Sequence, residues 1–258
     1  MRTAGPRSSP EDHGVSASDV GEAYTLSGRT AVVTGASGGI GRRVAERLAG
    51  AGARVWCLAR SADVLRRLAA DIGGHALVAD LDDDVATWTA LDHMMEAGGG
   101  APDVVVNAAG VFGIAPCATE SVRAFDASLS VNLRGPFLVI RALLPAMLER
   151  GSGIIVNVGS VAGRRALPGN AAYSAAKYGL RGLHEVLLEE TRGTGVRATL
   201  VEPAATDTAM WDPLDPDGDP ALPDRVRMLR PGDVADAVLW AVTRPAHVRV
   251  PLLQVERS

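Results

Sequence analysis

Lysine is nearly missing from this sequence: Lys177 stands alone against 25 arginines. Cysteine is scarce too. Cys57 lies in an apolar run and Cys117 in a loop segment, a pair that offers neither a disulfide framework nor metal-ligand spacing. Both thiols are expected to be idle or buried. His13, His75, His93, His184 and His247 form no H-x-x-H or H-E-x-x-H pattern, so no metal site is expected. There is no basic run, Asp and Glu outnumber Lys and Arg by 30 to 26, and the net charge is −4, which argues against nucleic acid as the main partner. No apolar stretch approaches the roughly 20 residues that span a bilayer, so no membrane partner is expected. Unpaired thiols make the cytoplasm the default compartment.

What is present suffices for a large core, since 258 residues carry 47% hydrophobic content. Residues 1–26 are rich in Gly, Ser, Pro and Asp without an apolar stretch, and read as a disordered leader rather than a signal peptide. From Thr30 onward, short β-branched runs alternate with helical patterns. That alternation predicts one α/β domain over residues 27–258, a doubly wound seven-stranded parallel sheet with helices on both faces. Strands are expected at Thr30–Thr34, Arg54–Ala59, His75–Ala79, Val104–Asn107, Ile154–Val158, Val196–Val201 and Val248–Leu253. Helices are expected at Ile40–Ala49, Ala62–Asp71, Asp83–Ala97, Val122–Glu149 with a break, Tyr173–Arg192 and Pro231–Val242. The Pro/Asp-rich stretch Asp212–Asp224 suits no helix or central strand and reads as part of a lid over about residues 206–230.

The first strand–helix turn, Thr34 to Gly41, holds Gly35, Ser37, Gly38, Gly39, Ile40 and Gly41 between an apolar strand and an amphipathic helix. Glycines there permit a tight turn and a close approach by a pyrophosphate, while the helix N-terminus offers unpaired N–H groups and a positive dipole end. The G-K-[ST] signature of a P-loop is absent. At the end of the second strand, where an acid would accept a ribose 2′-OH, the sequence has Arg60 and Ser61. An arginine there suits a 2′-phosphate, so NADP(H) is expected over NAD(H), although Arg60 also fits an ordinary surface arginine.

Lys177 follows Tyr173 by four residues on an expected helix, so both side chains share a face, about 5–6 Å apart at Cβ. An ammonium beside a phenol favours the phenolate and is expected to lower the tyrosine pKa, as a general acid and base requires. The same spacing also arises by chance on many helices.

Taken in order, these features resemble the short-chain dehydrogenase/reductase family in its single-domain form, over residues 26–255. Asp80-Leu81 matches the family's acid after strand three, and Asn107-Ala108-Ala109-Gly110 matches its turn after strand four, with Ala108 replacing a usual Asn. Asn132 matches the family's helix asparagine, and Ser160 precedes Tyr173 by thirteen residues. The resemblance implies a Rossmann-like fold and four catalytic residues: Tyr173 as proton donor, Ser160 bonding the same carbonyl oxygen, Lys177 holding the cofactor ribose, and Asn132 anchoring a water. Asn132 suits a structural role at a helix kink almost as well, because a mid-helix Asn marks irregular backbone. The resemblance also gives cofactor contacts to Asp80, Leu81, Asn107, Ala108, Gly110, Pro203, Thr206 and Thr208, with Ala204 in place of a usual Gly. It implies a homodimer or homotetramer built on the two longest helices.

Phe112, Leu167, Pro168, Met210, Trp211 and Leu214 are expected to wall a pocket for an apolar ketone or alcohol, though Met210 and Trp211 also suit anchoring the loop. Arg164 and Arg165 beside Ser160 could meet an anion. Two other classes remain open: a catalytically silent cofactor-binding sensor, and a nucleotide-fold methyltransferase, which would want an acid where Arg60 stands.

Overall fold

The computed structural model describes residues 25–258, so most of the expected leader, residues 1–24, lies outside the described residues. Seven strands, β1 (Thr30–Thr34), β2 (Arg54–Ala59), β3 (His75–Val78), β4 (Val104–Asn107), β5 (Gly153–Val158), β6 (Val196–Pro203) and β7 (Leu252–Val255), form one sheet in the order β3-β2-β1-β4-β5-β6-β7. Every neighbouring pair is parallel. The chain leaves β1 toward β2 and β3 on one side and returns to β4 on the other, which opens a crevice beyond the C-terminal ends of β1 and β4. Thr34 pairs in register with Asn107, so the loops leaving those strands meet. They touch at Gly35 (φ +68°), where a Cβ would lie 2.7 Å from Ala109 Cα.

Seven α-helices connect these strands: α1 (Gly39–Gly50), α2 (Ala62–Ile72), α3 (Asp84–Gly98), α4 (Val122–Leu129), α5 (Gly135–Arg150), α6 (Ala171–Glu190) and α7 (Pro231–Val242). Alternate strand residues point to opposite faces, and each face has its own core. Val33 and Val106 pack with Leu48 of α1, Leu65 of α2 and Val238 of α7. On the other face, Val32 and Val105 pack with Leu91 of α3, Leu143 of α5 and Leu187 of α6. Both faces are covered, which is why the strands read as continuous apolar runs instead of alternating ones.

Two expectations need correcting, at the last strand and the lid, and a third is sharpened. The last strand begins at Leu252, not Val248, because Pro251 has no N–H to donate; its carbonyl instead accepts from Leu200 N at 3.0 Å. The expected break between α4 and α5 is a π-helical turn, Ser130–Arg134, that contains Asn132. The lid is not without helix: Ala209–Leu214 forms a 3-10 turn that includes Pro213. By length and apolar content the stretch Val122–Arg150 could cross a membrane, against the expectation from sequence. Here its apolar residues Val139, Ile140, Leu143 and Met147 pack against the sheet.

Candidate active site

A cleft of about 810 Å³ runs beyond the C-terminal ends of β1 to β6. One end is built on α1. Gly38 caps that helix without a side-chain hydrogen bond, so the N–H groups of its first turn are open to the cleft, and Gly35, Ser37, Gly39 and Ile40 line it. A Cβ at Gly38 would have nothing within 4 Å. This bare, uncapped helix N-terminus fits a pyrophosphate. Gly41 is not on the cleft wall. Its missing side chain instead lets helix and strand pack, since a Cβ would fall 2.4 Å from Gly35 O.

At the far corner, Arg60 and Ser61 stand exposed beside Asp80, with Arg60 Nη1 3.8 Å from Asp80 Oδ2. Leu81 lines the same corner but is buried, and its side chain packs where a Cβ on Gly135 would fall. Ala108, Gly110, Pro203, Thr206 and Thr208 are on the wall, as expected. The Thr206 hydroxyl is taken, donating to Ala204 O at 3.0 Å, and Thr208 lies over the glycine turn, 3.1 Å from where a Gly39 Cβ would be.

Asn107 does not line the cleft. Its side chain is buried in the sheet, where Nδ2 donates to Asn157 Oδ1 at 2.9 Å and its own Oδ1 has no partner among the described residues. The polar chain continues: Asn157 Nδ2 lies 3.4 Å from His184 Nδ1, and His184 Nε2 lies 2.9 Å from Pro251 O. These contacts fit a neutral ring carrying its proton on Nε2, and burial keeps the His184 pKa below its ordinary value. Sequence reading missed this chain, because His184 looks like any helix residue until β5 and α6 are packed together.

Tyr173, Lys177 and Ser160 meet at the cleft floor. Burial pushes the Tyr173 phenol up to about 12, against a smaller opposing effect from its hydrogen bond with Ser160. Burial also brings the Lys177 ammonium down to about 8. Lys177 Nζ donates to Val158 O at 2.9 Å and sits 5.6 Å from the Tyr173 ring centre. The expected lowering of the tyrosine by its ammonium neighbour is absent here: burial raises the phenol, and the one opposing effect comes from Ser160. Ser160 Oγ accepts from Ala162 N at 3.1 Å, which starts the short 3-10 turn after β5.

Asn132 is fully buried and lies outside the cleft wall. Its Oδ1 accepts from Val111 N at 3.1 Å, while its Nδ2 donates to Val111 O at 2.9 Å and to Ser128 Oγ at 3.0 Å. It staples the loop after β4 to the π turn, which is the structural role its position allowed.

The end of the cleft beside Tyr173, expected to take substrate, is walled by Phe112, Leu167, Pro168, Met210 and Trp211; Leu222 and Pro223 replace Leu214. Phe112 stands edge-on to both Tyr173 and Trp211, at 4.9 Å in each case. Trp211 Nε1 donates to Thr206 O at 3.1 Å, so this side chain both walls the pocket and anchors the lid. Arg225 ties the lid together, with contacts of 2.6 Å to Asp207 and 2.6 Å to Asp212. Arg164 is not free to meet an anion, because it is paired with the buried Glu202 and with Glu256.

The profile of the short chain dehydrogenase family matches residues 29–219. The D-threitol dehydrogenase of Mycolicibacterium smegmatis is 34% identical over 232 residues, covering 86% of this chain and 89% of that protein. A metagenomic short-chain oxidoreductase solved with NADP aligns with a TM-score of 0.76 and 36% identity, over 90% of this chain and 98% of that one. A putative NAD(P)-dependent gluconate 5-dehydrogenase from Beutenbergia cavernae, with NADP at low occupancy, gives 0.79 and 34% over 90% and 97% of the two chains. Sheet order, the cleft at its crossover and these matches agree: the chain is an oxidoreductase of the short-chain dehydrogenase/reductase family, which uses NAD(P).

Proposed function

We propose that this protein transfers hydride between NADPH and a ketone or secondary alcohol, with Tyr173 as general acid and base. The observation that carries this reading is the meeting of Tyr173, Ser160 and Lys177 on the floor of a cleft whose other end is an uncapped helix N-terminus. When bound, NADPH supplies the hydride. Gly35, Ser37, Gly39 and Ile40 hold its pyrophosphate through backbone N–H groups, and Lys177 holds the ribose near the nicotinamide. Ala108, Gly110, Pro203, Thr206 and Thr208 complete the cofactor wall, with Asp80 and Leu81 at the adenine end.

Ser160 orients the carbonyl oxygen toward Tyr173, and Tyr173 delivers the proton that balances the incoming hydride. With its phenol raised to about 12, Tyr173 keeps that proton at neutral pH and stands ready as the donor for carbonyl reduction. Asn132 acts through Val111, fixing the loop that carries Phe112. Arg60 takes the 2′-phosphate, helped by Ser61, and the bound NADP of two structural neighbours supports that choice. Exposed Phe137, Tyr178 and Val186 on α5 and α6 support a homodimer or homotetramer. The free thiols Cys57 and Cys117 suit a cytoplasmic protein.

The test is an absorbance assay with NADPH or NADH and a panel of ketones. Tyr173→Phe should lower kcat/KM about 1,000-fold while leaving NADPH binding intact. Arg60→Ala should weaken NADPH about tenfold or more and NADH little, as loss of a charge-assisted contact predicts. Undiminished turnover by Tyr173→Phe would overturn the mechanism, and oxidation of NADH but not NADPH would overturn the role of Arg60.

A further inference from the structure

A second cavity, of about 250 Å³, lies against the first, and Val111, Phe112, Ile114 and Tyr173 line both. The rest of its wall is Gly113, Ala115, Ala124, Ala127, Ser128 and Ala172, with the Glu120 carboxylate as its one charged group. Ala124 and Ala127 are exposed, so this rear cavity opens to solvent beside α4. Of the shared residues, Phe112 carries the ring that packs edge-on against both Tyr173 and Trp211.

The backbone that carries this ring is pinned at its two ends. Asn132 makes two hydrogen bonds to Val111, and Ala115 N donates to Gly169 O at 2.9 Å. Between them, residues 112–114 make no backbone hydrogen bond among the described residues, and Gly113 is exposed with nothing within 4 Å of a built Cβ. The ring itself is held by two edge contacts, at 73° to Tyr173 and 62° to Trp211. Two such contacts leave the side chain free to change rotamer.

A ketone whose oxygen sits at Tyr173 has two arms. One runs under the lid toward Met210, Trp211 and Leu222. The other meets Phe112. We infer that Phe112 is a specificity-determining partition: it limits the second arm to a short apolar group, and removing its ring joins the two cavities so that longer arms pass into the rear one. This inference rests on the ketone-reducing reading above.

The test is kcat/KM with NADPH for ketones that share one aryl arm while the other grows from methyl to butyl. For the unaltered protein each methylene beyond the limit should cost about tenfold or more. In Phe112→Ala the butyl-to-methyl ratio should rise at least tenfold, as expected when a clash of that size is relieved. Phe112→Val and Phe112→Leu should give intermediate gains in order of size, and they carry the test if the alanine variant fails to fold. A ratio unchanged across the variants, with all ketones slowed alike, would overturn the inference and leave Phe112 as a buttress for Tyr173. No NADPH oxidation with any ketone by the unaltered protein would instead overturn the functional reading, and this inference with it.

Discussion

The two ends of the cleft are built by different means. The end beside α1 presents backbone N–H groups of a helix start, held by strands β1 and β4 and by glycines that allow close approach. At the substrate end the walls are side chains on loops: Phe112 after β4, Leu167 and Pro168 before α6, and Met210, Trp211 and Leu222 in the lid. At the glycine turn the first end is limited by where a Cβ has no room. The second is defined by side-chain shape and by a few contacts between loops, so modest substitutions should change which molecule binds without disturbing the fold.

The sharpest way to break this contrast is to add one carbon at the cofactor end. Gly41→Ala forces a Cβ to within 2.4 Å of the Gly35 carbonyl oxygen, a backbone atom that cannot swing away. We expect a loss of about 3 kcal/mol or more, at the upper end of overpacking costs. That corresponds to a fall in Tm of roughly 6–12 °C for a chain of this size. At the substrate end Met210→Ala, which trims a partly exposed side chain, should cost less than about 1 kcal/mol. Thermal unfolding of both variants decides the matter, and equal losses would erase the distinction.

Legibility in the sequence follows the same division. The bounds of β1, β2, β4 and α7 follow from apolar runs and punctuation alone, and the glycine turn identifies its own place at a strand–helix junction. Local signals fail where the determining partner is distant in the chain. Asn107 reads as a cofactor contact, yet its amide faces Asn157, 50 residues away on the neighbouring strand. Arg164 reads as a free cation, but β6 supplies the buried Glu202 against it. The start of β7 depends on which residues of β6 it meets, a matter of register that composition does not carry. Tyr173, Lys177 and Ser160 are legible as a set, whereas their protonation is not, because desolvation depends on everything packed around them.

That protonation gives a pH test at the junction of the two ends. Lys177 releases its proton at about 8 in the fold, against an ordinary 10.5. Between those values the unfolded chain binds the extra proton, so stability rises with pH through this window. Tyr173 has the opposite sign: the fold keeps its proton up to about 12, against an ordinary 10. The unfolded chain loses that proton first, so above about 10 stability falls with pH. Denaturant unfolding of the unaltered protein, Lys177→Met and Tyr173→Phe across this range should separate the two trends. Any advantage of the methionine variant should shrink as pH climbs past 8, and that of the phenylalanine variant should grow above 10. Differences that stay constant with pH would mean that neither group is desolvated as the cleft floor requires.

The smallest expected effect lies in the lid. Arg225 joins Asp207 and Asp212 at 2.6 Å each, stands 3.8 Å from Asp217, and reaches Thr208 O at 3.4 Å, so one guanidinium gathers both limbs of the loop. These partners are largely solvent-exposed, and water and salt screen such pairs heavily. Arg225→Gln should therefore leave the global unfolding transition nearly unchanged. It should raise the ketone KM about two- to fivefold, the scale of one exposed ion pair, through a less ordered lid. Molar salt should reproduce that rise in the unaltered protein and add little in the variant, which separates loss of the clamp from a general ionic effect on catalysis. A KM unmoved by both treatments would mean that Trp211, anchored to Thr206 and packed on Phe112, holds the lid without the clamp. The substrate end would then owe its shape to aromatic packing alone.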